Sequence, residues 1–269
     1  MTSPVVALEH LTISVADLDT EIDNYAVLLD LKPSWRGAQD GHDIAIFNTD
    51  NVAVRLVASE QPRGLEAVCF AVDSLQRMVR RLQRVGIASS EATTENPITP
   101  SDSPKVMQIA SSPDTRGIQM SFVEGDSKAT AKQATASNGL DHIVIASQSA
   151  ESTAFLLGSQ LGLDMRMDMS RPEWKARLMF FRCGDLIVEV FEHLDENAPN
   201  TEDRTSPKED NFYGLTWRVK DADASHARLS QAGFDTSEVR RGRKRGSKVL
   251  TVRDKTAEVA TLLIELPVA

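Results

Sequence analysis

Leu8-Glu9-His10-Leu11-Thr12-Ile13 returns 132 positions downstream as Leu140-Asp141-His142-Ile143-Val144-Ile145, and this echo decides how the rest of the chain divides. The same shift carries Leu29 onto Leu161 and Leu31 onto Leu163. After a two-residue insertion, Ile46-Phe47 falls on Phe180-Phe181, and Asn51-Val52-Ala53-Val54-Arg55 on Asp185-Leu186-Ile187-Val188-Glu189. A second correspondence, shifted by 147, joins Phe70-Ala71-Val72 to Trp217-Arg218-Val219, Leu82 to Leu229 and Gly86 to Gly233. Two registers held over such stretches mean internal duplication: the second half repeats the first, and each half holds two similar units.

Each unit opens with a run of period-two apolar spacing, at 7–15, 65–72, 140–147 and 213–219, which predicts a half-buried strand. A helix follows each, predicted at 19–31, 74–85, 149–161 and 222–232. In the second of these Leu75, Met78, Val79 and Leu82 share a face, with Arg and Gln opposite, and Gly86 and Gly233 stand where a helix end favours positive φ. Further strands close each unit, such as 44–47 with 52–57 and 178–181 with 186–191. The expected fold class is α+β, with four βαβββ modules paired into two tandem domains. Residues 1–124 form the first domain, the small polar stretch 125–138 a linker, and 139–269 the second domain. The acidic, proline-containing run 195–210 reads as an exposed loop between the third and fourth units.

A net charge of −9 argues against nucleic-acid binding, which depends on neutralising phosphates with Lys and Arg. No apolar run approaches the roughly 18–20 residues that span a bilayer, and the start of the chain does not read as a signal peptide. Cys69 and Cys183 lie in apolar strands and are expected to be buried free thiols, so a cytoplasmic location is expected. No glycine-rich phosphate loop follows a strand, so no nucleotide cofactor is expected. The expected partner is a small-molecule substrate, with neither nucleic acid nor membrane. A homodimer is compatible with the pattern but not required by it.

Paired βαβββ units that open on Leu-x-His-hydrophobic ("LEHLTISV", "LDHIVIAS") and close on "TLLIEL" resemble the vicinal oxygen chelate superfamily of glyoxalases, bleomycin-resistance proteins and extradiol dioxygenases. The resemblance covers nearly the whole chain outside the linker and the acidic loop. It implies that each pair of units curls into an open cup of sheet, with His or Gln, Glu, His and Glu holding a divalent ion against two neighbouring substrate oxygens. In the first half the matching positions are His10, Arg55, Ala67 and Gln119, an arginine and an alanine among them, so that half is expected to be metal-free. In the second half they are His142, Glu189, Gly214 and Glu265. The resemblance therefore implies a site on His142, Glu189 and Glu265 for Zn²⁺, Mn²⁺ or Fe²⁺, with Glu189 and Glu265 also in catalytic roles. Glu189 interrupts an apolar strand, and a buried carboxylate is costly unless it is paired or metal-bound.

The run Arg240-Arg241-Gly242-Arg243-Lys244-Arg245-Gly246-Ser247-Lys248 is the densest charge cluster in an acidic chain. It reads either as a solvated hairpin or as a clamp on an anionic substrate, with Arg243 and Arg245 making forked contacts and Trp217 lining the substrate site. The expected function is an enzyme acting on a small oxygen-rich metabolite by metal-assisted isomerase or lyase chemistry. The alternatives are a metal-free small-molecule binding protein of the bleomycin-resistance kind and an extradiol-dioxygenase-like enzyme with an altered site.

Overall fold

The four predicted modules appear in chain order in the computed structural model. It describes residues 3–39, 41–62, 64–89, 93–95, 105–109, 113–125, 139–194 and 209–267. Nearly all of the expected linker and most of the acidic loop lie outside the described residues. The first module is β1 (Val5–Val15), α1 (Leu18–Leu29), β2 (Trp35–Gln39), β3 (His42–Asn48) and β4 (Ala53–Ala58). The second is β5 (Gly64–Val72), α2 (Leu75–Arg84), β6 (Thr93–Glu95), β7 (Lys105–Ile109) and β8 (Gln119–Glu124). The third is β9 (Leu140–Ser147), α3 (Ala150–Ala154), β10 (Asp164–Arg171), β11 (Ala176–Cys183) and β12 (Leu186–His193). The fourth is β13 (Asn211–Val219), α4 (Ala222–Gln231), β14 (Arg240–Arg241), β15 (Lys248–Val252) and β16 (Ala260–Glu265). One sheet runs β2-β3-β4-β1-β5-β8-β7-β6 and the other β10-β11-β12-β9-β13-β16-β15-β14, so the two halves repeat one topology.

The local chemistry repeats as well. Asp17, Ser74 and Asp221 each cap a helix by accepting from a backbone N–H in its first turn. Gly86 and Gly233 take φ of 76° and 75° just past their helices, a conformation that a Cβ would strain. The third helix departs from expectation. Its α-helical part ends at Ala154 and the chain continues as a wider turn over Phe155–Gln160, closed by Leu161 N–H to Leu156 O at 2.8 Å. Gly158 lies in that turn, where an added Cβ would stand 3.4 Å from the Phe181 ring.

Contacts group the chain into two units: Met1–Glu9 with Ala67–Lys132 and Ile143–Tyr213, and His10–Glu66 with Gln133–His142 and Gly214–Ala269. In the first unit Leu75, Met78 and Leu82 of α2 are buried, as are Phe70 and Phe122, whose rings stack at 6.0 Å. There Arg81 donates to the carbonyls of Ser159 and Gln160 at 2.7 and 2.6 Å. In the second unit the buried Tyr25 hydroxyl donates to Thr256 O at 3.2 Å, and Asn51 bonds both N–H and C=O of Leu140 at 2.8 Å. Cys69 and Cys183 are buried free thiols.

Candidate functional site

Strand β9 presents its residues by the period-two rule. Ile143, Ile145 and Ser147 are buried, while His142, Val144 and Ala146 form the half-buried side. At the head of this strand, in the second unit, lies a cluster of charged and polar side chains. Asp141 Oδ2 is 2.8 Å from His142 Nδ1 and accepts from Lys244 Nζ at 2.8 Å. Asp141 Oδ1 accepts from Lys244 Nζ at 3.1 Å and from Arg218 Nε at 3.3 Å. On the far side of the imidazole, Nε2 lies 2.9 Å from Thr216 Oγ1. The Asp141 side chain is 4% exposed and that of His142 19%, so the carboxylate is sealed while the ring keeps an open edge.

Electrostatics orders this chain of bonds. Burial alone would raise the Asp141 carboxyl, but the hydrogen bonds from His142 and Lys244 and their charges hold it well below the usual carboxylate range. An ionised carboxylate only accepts, so His142 Nδ1 carries the proton. In the neutral ring Nε2 is then an acceptor, and the Thr216 hydroxyl donates to it.

A pH dependence follows. The folded state holds Asp141 ionised more strongly than the unfolded chain does, where its pKa is about 3.9. Over the acid range the unfolded state therefore binds more protons, and stability rises with pH. The contribution of Asp141 is present above about pH 4 and is lost as pH falls below it. Asp141→Asn is expected to lower stability at neutral pH by about 2–4 kcal/mol, because Arg218 and Lys244 lose their shared counter-charge. It is also expected to flatten the dependence below pH 4. Denaturant titrations from about pH 2 to 7 check both; parallel curves for the two proteins would refute the assignment.

The basic run forms a hairpin. Arg240 and Arg241 pair with Val249 and Lys248, Gly242 N–H donates to Ser247 O at 2.9 Å, and Gly246 turns with φ 78°. Lys244 pins this hairpin to Asp141, while Arg243 and Arg245 are exposed on either side of it in sequence. The hairpin is thus anchored to the neighbour of His142 rather than free in solvent.

Two of the residues expected to hold a metal, His142 and Glu265, have other partners within the second unit. Glu265 Oε2 accepts from Ala222 N–H at 2.8 Å, capping α4, and lies 3.7 Å from Lys248 Nζ. Glu124 does the same for Leu75 N–H at 3.0 Å in the first half, so this glutamate is a repeated structural element. Sheet register explains the misplacement. Ala67 stands opposite Gln119 and Gly214 opposite Ala260, so the position equivalent to Gln119 is Ala260, not Glu265. Gly214 has no donor and no room for one, since an added Cβ would sit 2.4 Å from Ala260 O. Glu189 is half-buried on β12, on the side of Ile187 and Phe191 and opposite Phe180. His142 has both nitrogens engaged. Among the described residues no group of three or more His, Cys, Asp and Glu could hold a metal ion. His142 and Glu265 as placed, each engaged with its own partners, do not offer a ready pair of ligands for a divalent ion.

Trp217 lies away from the His142 cluster. It is 3% exposed and follows Thr216 on β13, so it faces the other side of the strand. There it lines a cleft of about 280 Å³ with Leu28, Leu29, Lys220 and Arg228. Asp141, Thr216, Arg218 and Lys244 were not singled out as site residues in the sequence. The adjacency of Asp141 and His142 was the one signal available there.

Residues 141–251 match the family described as the Glyoxalase/Bleomycin resistance protein/Dioxygenase superfamily. Among solved structures, the chain is similar to the Mn(II)-bound glyoxalase from Novosphingobium aromaticivorans, at 15% identity and TM-score 0.68, covering 98% of this chain and 83% of that one. It is similar to a triple mutant of 4-hydroxymandelate synthase from Streptomyces coelicolor, at 15% identity and TM-score 0.69, covering 98% and 93%. It is also similar to the 2,3-dioxygenase LapB from Pseudomonas sp. KL28, at 12% identity and TM-score 0.68, covering 98% and 93%. At these identities the likeness is one of fold. No curated protein matches the chain. Among the described residues no helix is long and apolar enough to cross a membrane.

Proposed function

From a chain that carries the tandem glyoxalase-like fold of the vicinal oxygen chelate superfamily, we propose an enzyme that moves a proton on a small, oxygen-rich anionic metabolite, an isomerase or lyase whose reacting base is His142. The observation that supports this most is the half-buried imidazole anchored through Nδ1 to the sealed carboxylate of Asp141. Asp141 fixes the tautomer and stabilises the imidazolium that forms when Nε2 takes a proton. The Thr216 hydroxyl occupies the Nε2 lone pair until a substrate competes for it. A proton next to a substrate carbonyl passes to Nε2. Its return to the neighbouring atom completes an isomerisation, and loss of a leaving group instead gives elimination. Arg243 and Arg245, on the hairpin held by Lys244, supply the positive charge for a substrate carboxylate.

The reading is tested by solvent-deuterium exchange. Protein incubated in D2O with small 2-oxo and 2-hydroxy carboxylates, followed by proton NMR, is expected to exchange the carbon-bound proton of at least one. Binding without exchange would make the protein a binding protein, and exchange untouched by His142→Gln would move the base elsewhere.

The chemistry of the donors carries a second prediction. Protein purified without chelator is expected to hold far less than one equivalent of Zn, Mn or Fe by elemental analysis, and EDTA is expected to leave its melting temperature unchanged. Near-stoichiometric metal that His142→Ala removes would restore the site on His142, Glu189 and Glu265.

A further inference from the structure

A second charged site lies in the first unit, on α2. Arg77, Arg80, Arg81 and Arg84 recur at the three- and four-residue spacings that put side chains on one stripe of a helix. They line a cleft of about 660 Å³ together with Pro4 and Asp73. That volume falls within the range of small-molecule sites, about 300–1,000 Å³.

Like charges at this spacing repel, so the stripe opposes the local stability of the helix. Two of the four arginines are accounted for by the fold. Arg77 Nη2 pairs with Asp73 Oδ2 at 2.9 Å, and Arg81 is spent on the Ser159 and Gln160 carbonyls. The guanidinium groups of Arg80 and Arg84 meet no carboxylate among the described residues; the bond from Arg84 Nε to Arg80 O at 3.3 Å stays within the helix. Asp73 is the one acid lining the cleft among the described residues, and Arg77 neutralises it. The cleft thus keeps a surplus of positive charge in a chain whose net charge is −9.

We propose that this cleft binds the diphosphate group of a small molecule, with Arg80 and Arg84 as the forked contacts and Arg77 and Arg81 completing the positive wall. Arginine's planar fork matches phosphate oxygens two at a time. From Arg77 to Arg84 the helix rises only about 10 Å, which suits two linked phosphates rather than a long polyanion. The acidic balance of the chain also disfavours a nucleic-acid backbone.

The test is calorimetric titration of the full chain with inorganic pyrophosphate at physiological salt, with sulfate as the single-anion control. Saturable binding, at least tenfold tighter than that of sulfate, is expected. The variant Arg80→Ala with Arg84→Ala is expected to weaken it at least tenfold while the melting temperature holds or rises, since like-charge repulsion is relieved. The variant Arg80→Lys with Arg84→Lys, which keeps the charge but not the fork, is expected to fall between the two. Pyrophosphate binding no tighter than sulfate, or unchanged in the alanine variant, would overturn the proposal. So would tighter binding of a single-stranded RNA oligonucleotide at the same arginines, which would make the stripe a polyanion surface.

Discussion

Asp210→Ala is expected to destabilise the protein by about 3–5 kcal/mol, the cost of removing one partner from a buried ion pair. Its side chain is fully buried, at 0% exposure, against 24% for Arg116. The carboxylate accepts from Arg116 Nε at 2.9 Å and Nη2 at 3.1 Å, and from the buried Thr153 hydroxyl at 2.6 Å. The backbone closes the same link, with Asp210 N–H donating to Arg116 O at 2.7 Å. Arg116 has φ 58°, a left-handed conformation that costs a non-glycine residue on the order of 1 kcal/mol and persists only where its surroundings hold it. Alanine at 210 would leave a half-buried guanidinium without its carboxylate, while the Thr153 hydroxyl would keep only its bonds to Ser149 O and Ser147 Oγ. For a chain of this size the melting temperature is expected to fall by roughly 10 °C. A double-mutant cycle with Arg116→Ala isolates the pair and should give a coupling above about 1 kcal/mol. Coupling near zero would mean that the cluster is held by its backbone bond alone.

That cluster was not legible in the sequence, and the reason is general. Periodic features were readable because they depend on neighbours along the chain. The alternation of β9 and the turns at Gly86 and Gly233 fall where local pattern placed them. The site depends instead on which strands lie side by side. Thr216 meets His142 across 74 residues, and Lys244 meets Asp141 across 103. Glu265 was misread because a closing glutamate fits the expected ligand pattern, whereas only sheet register shows that Ala260 stands opposite Gly214. The sequence revealed that Gly214 lacks a donor but not why. The clash of an added Cβ with Ala260 O, at 2.4 Å, means that the close packing of β13 and β16 excludes a second histidine there.

His142→Gln is expected to carry the largest functional effect, a loss of about 10²–10⁴-fold in proton exchange, the usual contribution of a positioned general base. Glutamine can still bond Thr216 and Asp141, so the melting temperature should move little and the loss should appear in the rate rather than in KM. Arg243→Ala and Arg245→Ala, on the exposed hairpin, are expected to do the reverse, raising KM for an anionic substrate with a smaller effect on rate. Asp141→Asn separates positioning from chemistry, because an amide can accept from Nδ1–H or donate to the bare nitrogen, so the tautomer is no longer enforced. Nitrogen NMR of the imidazole should therefore show Nδ1 protonated and Nε2 bare in the native protein and a mixture in Asp141→Asn. A native ring protonated on Nε2 would place the lone pair on the Asp141 side, where no substrate proton reaches it, and would rule out His142 as the base.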